Sequence, residues 1–248
     1  MTKLQAFIGH LCLSLAVVGS VCAVIFFVWY PHPYFEAKGA WNVLRVLLGV
    51  DLVVGPTLTL ILYKPGKRGL KIDMTFIAVV QLAALIYGTS VVFSERPYFA
   101  VFAVDRFEVV ARREVDLTEA TDPRLLEKPV VGPRLVVALR PATIDGMQKL
   151  LEDVIFEGKP DIERRPEFWS PYEDQIAHVL TKVVDLAKLA ASPNNDAGQI
   201  ERFLKRNDRR MDELAYVPLV GQNRDFAFVV DKASGQPLDI IDINPWLE

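Results

Sequence analysis

Cysteine is scarce in this chain. There are two in 248 residues, Cys12 and Cys22, ten apart in one apolar run. A helix would hold them about 15 Å apart, so they do not bridge, and they read as small apolar packing. Histidine is almost as rare: His10, His32 and His178 lie in three different regions. A zinc site needs several His, Cys or carboxylate ligands converging, so no metal is expected. There is no glycine-rich phosphate loop, no G-x-S-x-G and no H-E-x-x-H. No catalytic residue and no cofactor are therefore expected. Internal repeats and low-complexity tracts are lacking too.

Charge is missing locally rather than globally. Residues 4–35 contain no Asp, Glu, Lys or Arg, and neither do residues 74–93. Residues 43–62 carry only Arg45 and Asp51. The mean hydropathy of +0.23 coexists with 24% charged residues because the two are segregated along the chain. About 20 apolar residues suffice to cross a bilayer core, so three transmembrane helices are expected, at about 6–30, 42–63 and 73–93. The first run is longer than the roughly 7–15 apolar residues of a cleaved signal, and a retained helix is expected. The division is then a membrane domain over 1–96 and a charged domain over 97–248.

The loop "YKPGKRGLKIDM" holds Lys64, Lys67, Arg68 and Lys71 against Asp73, whereas "YPHPYFEAKGAW" holds only Glu36 and Lys38. Positive short loops stay cytoplasmic. The N-terminus is therefore expected in the cytoplasm and the C-terminal domain outside, in the periplasm of a bacterium. Trp29, Tyr30, Tyr34 and Trp41 are candidate interfacial anchors around the outer loop. Arg45 is expected to snorkel outward from the second span.

Residues 97–248 carry 20 basic against 27 acidic side chains, a net −7. That excludes nucleic acid, whose phosphates need a basic face. "YFAVFAVDRFEVVAR", with its polar break at Asp105 and Arg106, reads as a hairpin or two short strands, and "RLVVALR" as a strand. "TIDGMQKLLEDVIFEG" reads as a helix capped by Thr143. Ser170 and Pro171 read as the start of a long second helix running through Ala190. "DAGQIERFLKRN" reads as a third helix, and the end of the chain returns to strand. Strands at both ends with helices between predict an α+β domain in which first and last strands share a sheet.

The stretch "GVDLVVGPTLTLIL" puts Asp51 in the middle of an apolar span. An ionisable group there costs at least about 2.5–3.5 kcal/mol on insertion scales and normally faces other helices. Gln81, counted in from the opposite end of the third span, comes out at the same depth. Gly55 and Thr59 form a small-xxx-small pair that permits close helix approach. Pro56 frees a backbone carbonyl one turn earlier. Asp51, Gly55, Pro56, Thr59 and Gln81 are thus the candidate helix-contact residues. Their reading is an intramembrane contact or a partner-helix contact, ahead of a proton or ion path.

"FVWYPHPYFEAKGAWNVLRVLLGVDLVVGPTLTLILYKPGKRGLKIDM" and the following "QLAALIYG" resemble the TfpX/TfpZ family of type IV pilin accessory proteins, as does the "PW" after "DIIDIN". The resemblance implies an inner-membrane, chaperone-like or assembly-modulating factor with type IV pilin, and pilus assembly machinery, as partners. It implies no catalytic residues. Two other readings stand beside it: an envelope enzyme modifying pilin or lipid through outer-domain carboxylates, and a membrane-anchored periplasmic sensor.

Overall fold

The computed structural model describes residues 2–127, 129–192 and 195–247. It divides into two compact units: Met1–Phe35 with Gly39–Arg96, and Glu36–Lys38 with Pro97–Glu248.

The first unit is three helices, each long and apolar enough to cross a membrane: α1 (Lys3–Trp29), α2 (Trp41–Leu62) and α3 (Leu70–Ser94). A capping box starts α1. The Thr2 hydroxyl accepts the Gln5 N–H, and the Gln5 side-chain Oε1 accepts the Thr2 N–H in return. The last turn of α1 widens to a π turn over Ile25–Trp29, before Pro31. Gly69 precedes α3 with φ +89°, a conformation that glycine enters without a Cβ penalty. Helix α2 packs against both α1 and α3. The unit is inverted relative to a water-soluble bundle. Leu13, Phe27, Val46, Ile61, Phe76 and Tyr87 are exposed, while Ser14, Asp51, Thr59 and Gln81 are buried.

One end of this unit has an apolar cluster of Ile25, Tyr30, Phe35, Ala40, Leu44 and Val92. Tyr30 is fully buried there, and its hydroxyl donates to the Val92 carbonyl at 2.7 Å. Tyr34 is buried as well. Of the aromatic residues named as interfacial anchors, these two do not turn their rings outward. Trp41 is 42% exposed, with the Arg45 guanidinium 6.0 Å from its ring centre. Trp29 packs edge-on against Phe93.

The second unit is built on one mixed sheet. Its strands are β1 (Pro97–Ala103), β2 (Arg106–Ala111), β3 (Arg134–Ala138), β4 (Trp169–Pro171), β5 (Val184–Asp185), β6 (Leu214–Val220), β7 (Phe226–Asp231) and β8 (Pro237–Ile241). The order is β4-β3-β1-β2-β6-β7-β8, with β5 added on β6. The early and late strands do share one sheet, through the parallel pair β2 and β6. Alternation sorts the side chains. Phe99, Val101 and Ala103 of β1 join Val136, Leu150, Ile162 and Trp169 in one core cluster. Leu214, Tyr216, Ala227 and Val229 form another with Leu186, Ile200 and Phe203. Phe107 connects the halves, 5.3 Å from Phe102 and 4.4 Å from Phe228 between ring centres.

Helix α4 (Ile144–Phe156) starts at Thr143, whose hydroxyl accepts the Gly146 N–H. The long helix expected from Ser170 does not form. Ser170 and Pro171 belong to edge strand β4. Beyond them come a 3-10 turn at Tyr172–Asp174 and two short α-helices, α5 (Ile176–Leu180) and α6 (Leu186–Ala190), separated by β5. The helical spacing of Ile176, Val179, Leu186 and Ala190 is real but is met by two turns that cover different parts of the sheet. Val184 is drawn into strand pairing with Tyr216, which breaks the helix between them. Helix α7 (Ala197–Asn207) follows, capped by Asp196.

Candidate functional site

The polar groups of the helical unit converge on one place, and the backbone of α2 explains why. The helix widens to a π-helical stretch at Gly49–Val54, so the Gly55 N–H bonds the Val50 carbonyl, five residues back. In that register the Asp51 carbonyl would receive its proton from residue 56, but Pro56 has no N–H. The carbonyl is left without a partner on its own helix. Gln81 of α3 supplies one: its Nε2 donates to Asp51 O at 3.3 Å and approaches Asp51 Oδ1 at 3.5 Å.

Gly55 makes this possible. A Cβ at that position would lie 1.9 Å from Gln81 Nε2. Thr59, one turn on, serves the other neighbour, with its hydroxyl 2.5 Å from His10 Nδ1 of α1. The structure therefore divides the small-xxx-small pair between two helices. Asp51, Gly55 and Gln81 come together in one cluster, and Thr59 bonds His10 beside it. His10 and Ser14 were not among the sequence candidates. A histidine 49 residues from its partner has no local signal.

Above Asp51 lies a groove of about 270 Å³. His10, Leu13, Ser14 and Val17 line it from α1, and Ala78, Gln81, Leu82 and Leu85 from α3. Its floor is polar and buried, with Ser14 7%, Asp51 4% and Gln81 9% exposed. Its rim is apolar and open at Leu13 and Leu82. Asp51 Oδ2 is buried with no hydrogen-bond partner.

The second unit has a pocket of about 280 Å³ lined by Glu114, Asp116, Glu119, Lys159, Arg164, Arg165 and Glu167. Most of these charges are engaged. Lys38 is buried against Glu114 at 3.1 Å, and Arg165 bridges Asp153 and Glu167, each at 2.8 Å. The Glu167 carboxylate beside it pushes the Glu119 carboxyl above the usual range. Burial works against ionised Asp153, but hydrogen bonds from Arg165 and Lys159 prevail and hold its carboxyl low. Among the described residues no three His, Cys, Asp or Glu side chains form a metal-binding group. Asp239 pairs with Arg206 and Asp242 with Arg224. Trp246 is tied down by its indole N–H, which donates to Asp225 at 2.7 Å.

Comparison with known proteins bears on what surrounds these sites. The profile of a family described as Fimbrial assembly protein FimB matches residues 1–39. The chain is 30% identical over 233 residues to the serogroup I fimbrial assembly protein of Dichelobacter nodosus, covering 90% of this chain and 88% of the relative. The chain belongs to the fimbrial assembly protein family. Within that family, the serogroup E1 protein of the same organism is also 30% identical, over 230 residues, again covering 90% and 88%. The protein of serogroups C1 and C2 is 39% identical over 113 residues, 44% of this chain and 86% of the relative. No solved structure matches the chain.

Proposed function

We propose that this chain is an inner-membrane assembly factor for type IV fimbriae, of the TfpX/TfpZ kind, acting on the fimbrial subunit without covalent chemistry. The observation that carries the reading is the match along nine-tenths of the chain to proteins named for fimbrial assembly. The inverted polarity of the helical unit supports a bilayer around α1, α2 and α3, because apolar side chains face out and polar ones face in. The basic loop between α2 and α3 supports a cytoplasmic N-terminus and a periplasmic second unit.

In this reading the helical unit holds an apolar segment of the subunit and the acidic unit attends its soluble part. Deleting the gene is expected to lower subunit level and surface fimbriae, and re-expression of the full chain to restore both. Unchanged subunit level and fimbriation would overturn it. The enzyme reading draws on one specific observation, the raised Glu119 carboxyl beside Glu167 in a concave pocket. Substituting both by Gln separates the two: an assembly factor keeps fimbriation, whereas a carboxylate enzyme loses it.

A further inference from the structure

We propose that the groove between α1 and α3 is a binding site for a cationic N–H donor, an amine or guanidinium, carried by a partner's transmembrane helix at the depth of Asp51. The inference rests on the reading of α1, α2 and α3 as membrane-embedded.

The argument starts from Asp51. The residue is 4% exposed, yet only Oδ1 is approached by a donor, at 3.5 Å, and the buried Oδ2 has none. Buried charge without a partner is costly, and in a bilayer such groups pair with an opposite charge. Among the described residues no Lys or Arg pairs with Asp51; His10 lines the same groove and lies near enough to act on Asp51 through space, but its Nδ1 is engaged by Thr59. That leaves Asp51 Oδ2 for a partner from outside the chain.

The shape of the site agrees. The groove opens beside Leu13 and Leu82, and Asp51 is among the residues that line it. Its volume is just under the roughly 300 Å³ at which small-molecule pockets begin, so it suits one long side chain. An apolar rim around a single acid fits an apolar helix with a single cation. Gln81 and Gly55 hold the floor in place, since Gln81 occupies the space that a Cβ at Gly55 would fill.

The test uses the full chain reconstituted in phosphatidylcholine vesicles and a fluorescent Leu-Ala transmembrane peptide with one central Lys. Peptides with Leu or Gln at that position are the comparison, and energy transfer reports association. The Lys peptide is expected to bind at least about tenfold more tightly than the Leu peptide, as a desolvated charge pair should. Asp51→Asn should abolish that preference. A retained helical spectrum and melting transition in this variant shows that the bundle still folds. A photo-crosslinker at Leu13 or Leu82 should capture the Lys peptide. One at Leu15 or Phe76, about half a helical turn away from the groove, should not.

Equal binding of Lys and Leu peptides would overturn the proposal, as would a preference that survives Asp51→Asn. Binding of the Gln peptide as tightly as the Lys peptide would replace the cation by a neutral donor and overturn it too. None of these outcomes depends on fimbriation, so the site can fail while the assembly role stands.

Discussion

The two units solve opposite problems. The helical unit surrounds a polar floor of Ser14, Asp51 and Gln81 with apolar side chains. The sheet unit surrounds Phe99, Phe107, Trp169 and Tyr216 with charges. In the second, burial of apolar area drives assembly at about 25 cal/mol per Å². On the proposed membrane reading of the first, the surrounding lipid is as apolar as leucine, so close packing and interhelical hydrogen bonds serve instead. A glycine and a glutamine therefore matter in one unit as large aromatics matter in the other.

Phe107→Ala should have the largest effect. The ring is fully buried between Phe102 and Phe228, and its loss should cost about 3–5 kcal/mol, read from denaturant unfolding of the sheet unit within the full chain. Leu44→Ala, equally buried in the helical unit, should cost clearly less, and equal costs would break the comparison. Gly55→Ala comes next. Its new Cβ evicts the Gln81 amide and orphans the Asp51 carbonyl, at about 1–3 kcal/mol in a detergent unfolding titration. Gln81→Ala alone should cost a similar amount. The double substitution should cost little more than either one, since both remove the same bond.

Gly221→Ala tests a tight spot of the sheet unit. A Cβ there would meet Arg224 O at 2.5 Å and Ala37 O at 2.8 Å, and the strain should be about 1–3 kcal/mol. Val104→Gly should act in the other direction. This β-branched residue in the β1–β2 turn has φ +62°, and glycine should recover about 1 kcal/mol, seen as a higher melting temperature.

The smallest effect is that of Glu119→Gln. The folded state raises the Glu119 carboxyl through Glu167, so it binds that proton more tightly than the unfolded chain does. The contribution is favourable below the ordinary carboxylate range and is lost as pH rises through the raised value. Glu119→Gln should therefore raise the melting temperature at neutral pH, and the gain should vanish toward acid. A gain independent of pH would mean that the Glu167 carboxylate does not raise the Glu119 carboxyl.

Much of this was legible in the residues. The hairpin at β1 and β2 follows from two runs rich in Val and Phe around a polar break, and α4 from a Thr143 cap. The failed helix after Ser170 shows the limit. Local periodicity there was satisfied twice over, and pairing of Ser170 with Val137 and of Val184 with Tyr216, 33 and 32 positions away, decided for strand. Lys38 is a similar case. In sequence it is one charge in a short loop, but in the fold it is buried on Glu114 and belongs with the second unit.

The chain by itself determined that three apolar segments precede an acidic α+β domain, because hydropathy and charge are additive along a sequence. It also put Asp51 and Gln81 near the middle of their apolar segments. Only the tertiary structure decided that they face each other. The rotation of each helix is set by what packs on it, by the room at Gly55 and by the carbonyl that the π turn and Pro56 leave open. The empty side of Asp51 belongs to the same decision: a partnerless oxygen becomes visible once every neighbour has been given its position.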